Sequence, residues 1–451
     1  MTIKPRYTLF KLTGLLCCTS LVSLASSVSH AAGFAIIEQS ASGLGNAYAG
    51  AAARAEDAST IYFNPAGMTF LSGRQAVAGL HIIKPSAKFT NNGSSINTGS
   101  GDSGEAGTVG VIPNLYYVMD INEDIKFGLG IGVPFGLATE YDKNWRGRYQ
   151  AVKSAVSAIN INPSLAFKAN DQWSFGLGVN LQYIEAELTQ AVDFGTICLG
   201  LEASGGLSSG TCAVVGLNPQ ASDGFSKITG DNWGVGFNLG VIYSLNDATR
   251  IGLAYRSEVK QNLDGKADFT LPTNAQSIFS TAFADTDVSA KIDLPDTTAL
   301  SAYHQLNDRW ALLADITWTG WSSFKELKIE FDNPNKSPSI EEENWDNSTR
   351  YSLAVNFMHN AQWTYRAGLA FDETPIPNDE MRTARIPGSD RTWLAFGAGY
   401  APTKNFQVDI AYVHIFVEDA KINRVGATGD VLRGSYENSV DILSAQARWV
   451  F

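Results

Sequence analysis

Residues 170–183, NDQWSFGLGVNLQY, put Trp173, Phe175, Leu177, Val179, Leu181 and Tyr183 on one side of an extended chain. Ser174, Gly176, Gly178, Asn180 and Gln182 fall on the other. A strict period of two excludes a helix and leaves a continuous apolar face that some non-aqueous surface must cover. The unit is a short polar turn, an aromatic or apolar residue just after it, then alternation. It recurs as NDATRIGLAY from Asn246, NDRWALLADITW from Asn307, NAQWTYRAGLAF from Asn360 and PTKNFQVDIAY from Pro402, and less regularly as NEDIKFGLGIGV from Asn122.

All of these turns are short, whereas other connections, such as 189–227 and 330–344, are long and irregular. Short turns on one side and long loops on the other, with aromatics at the boundaries, describe a transmembrane antiparallel β-barrel. Two strands per short turn, plus one strand at each end of the chain, predict about fourteen strands. The last, VDILSAQARWVF, ends on an outward aromatic, Phe451, which resembles the signal that outer-membrane barrels present to their insertion machinery. A soluble all-β sandwich or solenoid would also alternate and stays open at this point.

The N-terminus agrees with an exported chain. Lys4, Arg6 and Lys11 precede an apolar run from Leu12 to Leu24, and Ser29-His30-Ala31 ends residues 1–31 as a cleavable signal peptide. Of 33 Lys and Arg, these three leave with the leader, so 30 basic residues face 45 acidic ones, which excludes nucleic acid as a partner. After Ala32 no run approaches the ~18 apolar residues of a spanning helix. Two cysteines, Cys198 and Cys212, remain in an oxidising compartment and are expected to pair.

Residues 32–74 precede the first strand, from about Gln75, without alternation. They are rich in Gly and Ala, and Pro65 fixes a turn in IYFNPAGM, so this stretch is expected to fill the lumen of the barrel formed by 75–451. AGFAIIEQSASGLGNAYAG (32–50) with NPAG (64–67) is similar to the N-terminal hatch of the FadL family, long-chain fatty-acid transporters of Gram-negative outer membranes. The resemblance continues through PFGLATEY (134–141), WSFGLGVN (173–180), YRSEVK (255–260), FDETPIP (371–377) and IPGSDRTWLAFG (386–397). It implies a fourteen-stranded barrel with a plug, acting as a monomer in the outer membrane among its lipids. The implied function is passive uptake of long-chain fatty acids, without cofactor, metal or catalysis. Aromatic hydrocarbons remain an alternative cargo, and a lipase-like barrel enzyme an alternative of another class.

A carrier of fatty acids needs an apolar slot with cations at its mouth. The apolar long loops 191–219 and 271–283 offer Phe194, Ile197, Leu199, Leu201, Phe279 and Phe283 as a capture groove. The resemblance implies that Phe34 lines the pocket beside Asn64, Pro65 and Ala66 of the hatch motif, and that Lys328 in WSSFKELKIE meets the carboxylate. Alternation argues for Lys325 instead, because Trp310 to Trp318 face lipid on even numbers, unless a bulge near Gly320 shifts the register. Arg256 also points inward by parity. Strand five carries Glu185 and Glu187 where the family has a basic residue. Pro134, Phe135 and Gly136 interrupt the third strand: a proline cannot donate to a ladder, so PFG predicts an inward kink and a lateral gap beside strand two.

Overall fold

The computed structural model describes residues 33–99 and 103–451; the signal peptide lies outside them. Fourteen antiparallel strands close into a barrel. We number them β1 (Gln75–Asn91), β2 (Gly110–Asp120), β3 (Ile125–Glu140), β4 (Lys153–Lys168), β5 (Trp173–Asp193), β6 (Asp223–Asn246), β7 (Thr249–Arg256 and Val259–Thr270) and β8 (Thr286–Leu294 and Thr297–Gln305). They continue as β9 (Trp310–Thr319 and Glu326–Phe331), β10 (Ser339–Glu342 and Ser348–Met358), β11 (Trp363–Asp372), β12 (Arg391–Thr403), β13 (Phe406–Val417 and Ala420–Val425) and β14 (Val431–Val450). β1 pairs with β14 from Gln75↔Val450 to Asn91↔Gly434, which leaves no free edge.

The short turns have a shared cause. Asn122, Asn170, Asn246, Asn307 and Asn360 each turn a side-chain oxygen onto backbone N–H groups two or three residues on, at 2.8–3.1 Å. This local bond closes the hairpin and leaves the next residue free to start the strand. Those next residues build an aromatic rim: Trp173 against Tyr243, Trp310 against Phe357, Trp363 against Tyr400 and Phe406 against Trp449, with ring centroids 4.5–5.6 Å apart.

On β5 the outward face stays apolar and exposed from Trp173 through Leu181 and ends at Tyr183, whose ring meets Trp233 at 5.3 Å. Ten residue steps at ~3.3 Å and a tilt of ~40° give a band about 25 Å tall, the hydrocarbon thickness such a barrel must match. A soluble sandwich would bury this face; here it is the outer wall.

The core is inside. Residues 33–74 form short helices α1 (Ala41–Leu44), α2 (Ala51–Arg54) and α3 (Thr60–Phe63) and a 3-10 turn Pro65–Phe70, nearly all buried against inward faces of the strands. Asn64 knits this plug to the wall: its amide donates to the Ala52 oxygen at 2.7 Å and the Val241 oxygen at 3.1 Å, while Oδ1 accepts from Ala66 N at 3.0 Å. Two inward glycines admit it. A Cβ at Gly240 would overlap Asn64 Oδ1, and one at Gly252 would overlap the Ala52 carbonyl.

A buried ionic knot holds the plug on the other side. Arg366 of β11 reaches Asp409 of β13 at 2.7 Å and Glu56 of the plug at 3.2 Å, and Arg54 meets Glu56 at 3.5 Å. Gln446 of β14 donates to Asp57 at 2.9 Å and accepts from Ala41 N at 2.8 Å.

Candidate functional site

Three cavities follow one another through the upper barrel. The outermost, about 250 Å³, lies under the long loops and is lined by Ile197, Phe269, Phe283, Phe331, Lys336 and Arg385 among others. It shares Leu188, Ile228, Leu327, Ile329 and Arg385 with a narrow, almost wholly apolar neck of about 70 Å³. The neck shares Phe34, Leu137, Val156 and Ile386 with a main cavity of about 710 Å³. Phe34 therefore sits where neck and cavity meet. Its ring packs on Trp321 at 4.9 Å and on Phe135, Phe324 and Trp345 at 6.0 Å. Trp321, Phe324 and Trp345 were not singled out in the sequence; they lie in breaks of β9 and β10, where alternation gives no signal.

At the mouth, the Lys336 ammonium lies 3.8 Å from the Phe283 ring centre, 4.6 Å from Phe269 and 5.0 Å from Phe331. Such rings favour the cation but exclude its water. Burial pushes its pKa down to about 8. Arg385 is buried, donates to Ser154 at 3.0 Å and Gln190 at 2.7 Å, and meets Glu341 at 3.3 Å.

The capture residues divide. Phe194 and Phe279 are buried against each other and the Cys198–Cys212 disulfide, as the core of the loops themselves. Ile197 and Phe283 line the mouth, and Leu199 and Leu201 stay exposed on α4 (Phe194–Ala203).

The expected headgroup lysines lie elsewhere. β9 does break after Gly320, yet the faces do not exchange: Leu327 and Ile329 line the neck, while Lys328 points outward and meets Glu330 at 2.6 Å. Lys325 is exposed and, like Lys328, lines none of the three cavities. Arg256 does line the main cavity, but its guanidinium is engaged by Asn180, by the Tyr62 carbonyl at 2.8 Å and by the Tyr62 ring at 4.4 Å. Asn64, Pro65 and Ala66 belong to the plug's seat on β6 and β7. Glu187 on β5 pairs with Lys153 at 2.9 Å and Lys227 at 3.3 Å; it and Glu185 continue the outward parity of Tyr183, yet both are among the residues that line the main cavity.

Between β2 and β3 the ladder runs from Asp120↔Lys126 only to Leu115↔Ile131, although β2 continues back to Gly110. β3 keeps its pairing with β4 but shifts register between Gly132 and Phe135. One extra residue there bends the strand inward, and a bridge Gly107↔Thr139 closes the far end. The opening is bounded by β2 residues 110–114 and β3 residues 132–138. From inside, Ile36 N donates to the Pro134 oxygen at 2.8 Å and Gly136 N to the Phe34 oxygen at 3.0 Å. The main cavity is lined on this side by Gly110, Val111, Ile112, Gly136 and Leu137.

Residues 22–451 match the family model described as outer membrane protein transport protein (OMPP1/FadL/TodX). The chain is similar to the long-chain fatty acid transport protein of Escherichia coli O6:H1, with 32% identity over 87% of this chain and 89% of that one. Its structure resembles that of a Pseudomonas aeruginosa FadL homologue, with TM-score 0.83, 27% identity and coverage of 93% of this chain and all of that one. It also resembles the Pseudomonas putida toluene transporter TodX, with TM-score 0.66, 22% identity and coverage of 87% and 94%, a likeness of fold.

Proposed function

The chain belongs to the outer membrane protein transport family (OMPP1/FadL/TodX), and from that premise we propose that it carries long-chain fatty acids passively across the Gram-negative outer membrane. The observation that supports this most is the continuity of groove, apolar neck, cavity and wall opening. An alkyl chain enters at Phe283 and Ile197, where Lys336 and Arg385 attract its carboxylate. It then threads the neck past Phe34 and leaves sideways between β2 and β3 into the membrane. Lateral exit keeps the chain out of water throughout, and each CH2 so kept is worth about 0.8 kcal/mol. The plug, tied by Asn64 and the Arg366 knot, leaves the periplasmic end closed along this route.

Cations at mouth and cavity favour an acid over the aromatic-hydrocarbon alternative, since a hydrocarbon has no charge for them to meet. The curated relative named for fatty acids is also the nearer in sequence to this chain than the toluene transporter.

Deleting Pro134 removes the one extra residue of β3 and lets its ladder with β2 run on. Oleate uptake into cells or liposomes should then stop, while detergent-solubilised protein still binds oleate. Uptake at the wild-type rate in that deletion would mean that the ligand leaves by another path. Toluene uptake without oleate uptake in the wild type would favour the hydrocarbon reading.

A further inference from the structure

The main cavity is two-sided in a way that capture and lateral exit do not require. In register across its wall stand Thr317 of β9, Arg350 of β10, Asp372 of β11, Arg391 of β12 and Val417 of β13. The arc that follows is apolar: Ile415 and Val417, then Val440 and Ile442 of β14 and Ile83 of β1, all lining the same space.

Arg350 is 6% exposed, and its guanidinium is only partly engaged. One nitrogen donates to the Ala47 oxygen of the plug at 2.5 Å, and the Trp393 ring lies 5.0 Å away. Among the described residues its Nε and Nη1 have no hydrogen-bond partner, and Arg391 makes one long contact, 3.4 Å to the Gly33 oxygen. Among the described residues no ion pair within 4.0 Å joins Asp372 to either arginine, although it stands between them; Asp315, the next carboxylate, is occupied by Ser301 and Thr317. A buried guanidinium with open N–H groups is costly unless something accepts from it.

We propose that Arg350 and Arg391 form a carboxylate subsite inside the barrel, where the headgroup of a long-chain acid rests beyond the neck while its alkyl chain lies along the apolar arc toward the wall opening. This rests on the transport reading above. Two strand spacings separate the arginine backbones, ~10 Å, a span that two long side chains close onto one carboxylate in the paired geometry guanidinium groups prefer. The bond to the Ala47 oxygen and the Trp393 ring 5.0 Å away restrain the Arg350 guanidinium, so little ordering is needed on binding. Glu38 of the plug faces both arginines, and burial raises its pKa to about 7, so it can take up a proton when a second anion arrives. The subsite thus lets the tail reach the opening first, with the charge leaving last.

The test compares oleate with oleyl alcohol on the purified, detergent-solubilised protein. In the Arg350→Gln/Arg391→Gln variant oleate affinity should fall at least tenfold and alcohol affinity less than twofold, with Arg391→Lys recovering most of the loss. A variant that keeps the wild-type preference for acid over alcohol overturns the subsite alone. A wild type that binds neither ligand overturns the transport reading and the subsite together. Should the double variant fail to fold, crystals of the wild type with 2-bromohexadecanoate decide the matter, because the bromine marks the carboxylate end. An anomalous peak beside Arg350 supports the assignment, and a peak found only beside Lys336 at the mouth overturns it.

Discussion

Arg366→Leu should turn a closed barrel into a leaking one. The side chain is 3% exposed and joins Asp409 of the wall to Glu56 of the plug, at 2.7 and 3.2 Å. Its loss leaves Asp409, itself 1% exposed, with only the amides of Gln407 at 2.9 Å and Gln446 at 3.4 Å. Removing one partner of a buried pair costs about 3–5 kcal/mol because the other charge stays behind. The two remaining amides argue for the lower end. Three kcal/mol at 1.4 kcal/mol per decade raises the frequency of plug opening by about a hundredfold. Single-channel recording in planar bilayers measures that frequency directly. The double variant Arg366→Leu/Asp409→Leu removes both charges, leaves Glu56 with Arg54, and should return most of the way to the closed wild type. Equal openings in wild type and Arg366→Leu would refute the knot as the plug's anchor. A double variant that leaks as much as the single one would refute the uncompensated charge as the cause.

Oleate binding at the mouth should weaken as pH rises through about 8, where Lys336 loses its proton. Oleyl alcohol should show no such dependence, and Lys336→Arg should remove it for oleate; a flat oleate profile in the wild type would exclude Lys336 from headgroup capture. Phe34→Ala opens the junction of neck and cavity and should lower oleate affinity at least tenfold with the heat-resistant mobility of the barrel on gels unchanged. Unaltered affinity would take Phe34 off the ligand route.

What the sequence made legible is what lipid imposes. One face of every strand meets hydrocarbon and the other meets the plug or lumen, so alternation survives along β5, β9 and β11 and gives strand count and facing together. Asn at five of the six hairpins was visible for a local reason, since its side chain bonds its own turn. The same parity placed Lys328 outside, and motif similarity pointed the other way; Leu327 and Ile329 at the neck side with parity. The inward glycines Gly176, Gly240 and Gly252 admit the plug, and alternation alone did not single them out. Lys336 was not legible, because its three rings come from β7, β9 and the loop after α5 (Gln276–Phe279), and only the folded loops bring them together. The row Arg350, Asp372, Arg391 was hidden for a related reason: it exists only through the register of neighbouring strands, which long loops leave undetermined in the sequence.

The N-terminal stretch from Gly33 to Ile36 links the neck to the wall opening with few bonds, and their number limits what the link can do. The Phe34 ring closes the neck, and the flanking backbone adds a short strand to the kink of β3 through two hydrogen bonds, Ile36 N to Pro134 O and Gly136 N to Phe34 O. A ligand that pushes the ring from Trp321 must also strain these bonds, because ring and carbonyl belong to one residue. Each backbone bond contributes about 0.5–1.5 kcal/mol net, so neck occupancy can shift the opening by about 1–3 kcal/mol. Both bonds hold the kink of β3 inward, away from β2, so they favour the opening, and releasing them would bias β3 back toward its ladder with β2. A stronger tie would hold that kink, and with it the opening, more firmly. With no tie, β3 would be free to approach β2 and narrow the opening of the 710 Å³ cavity toward the membrane.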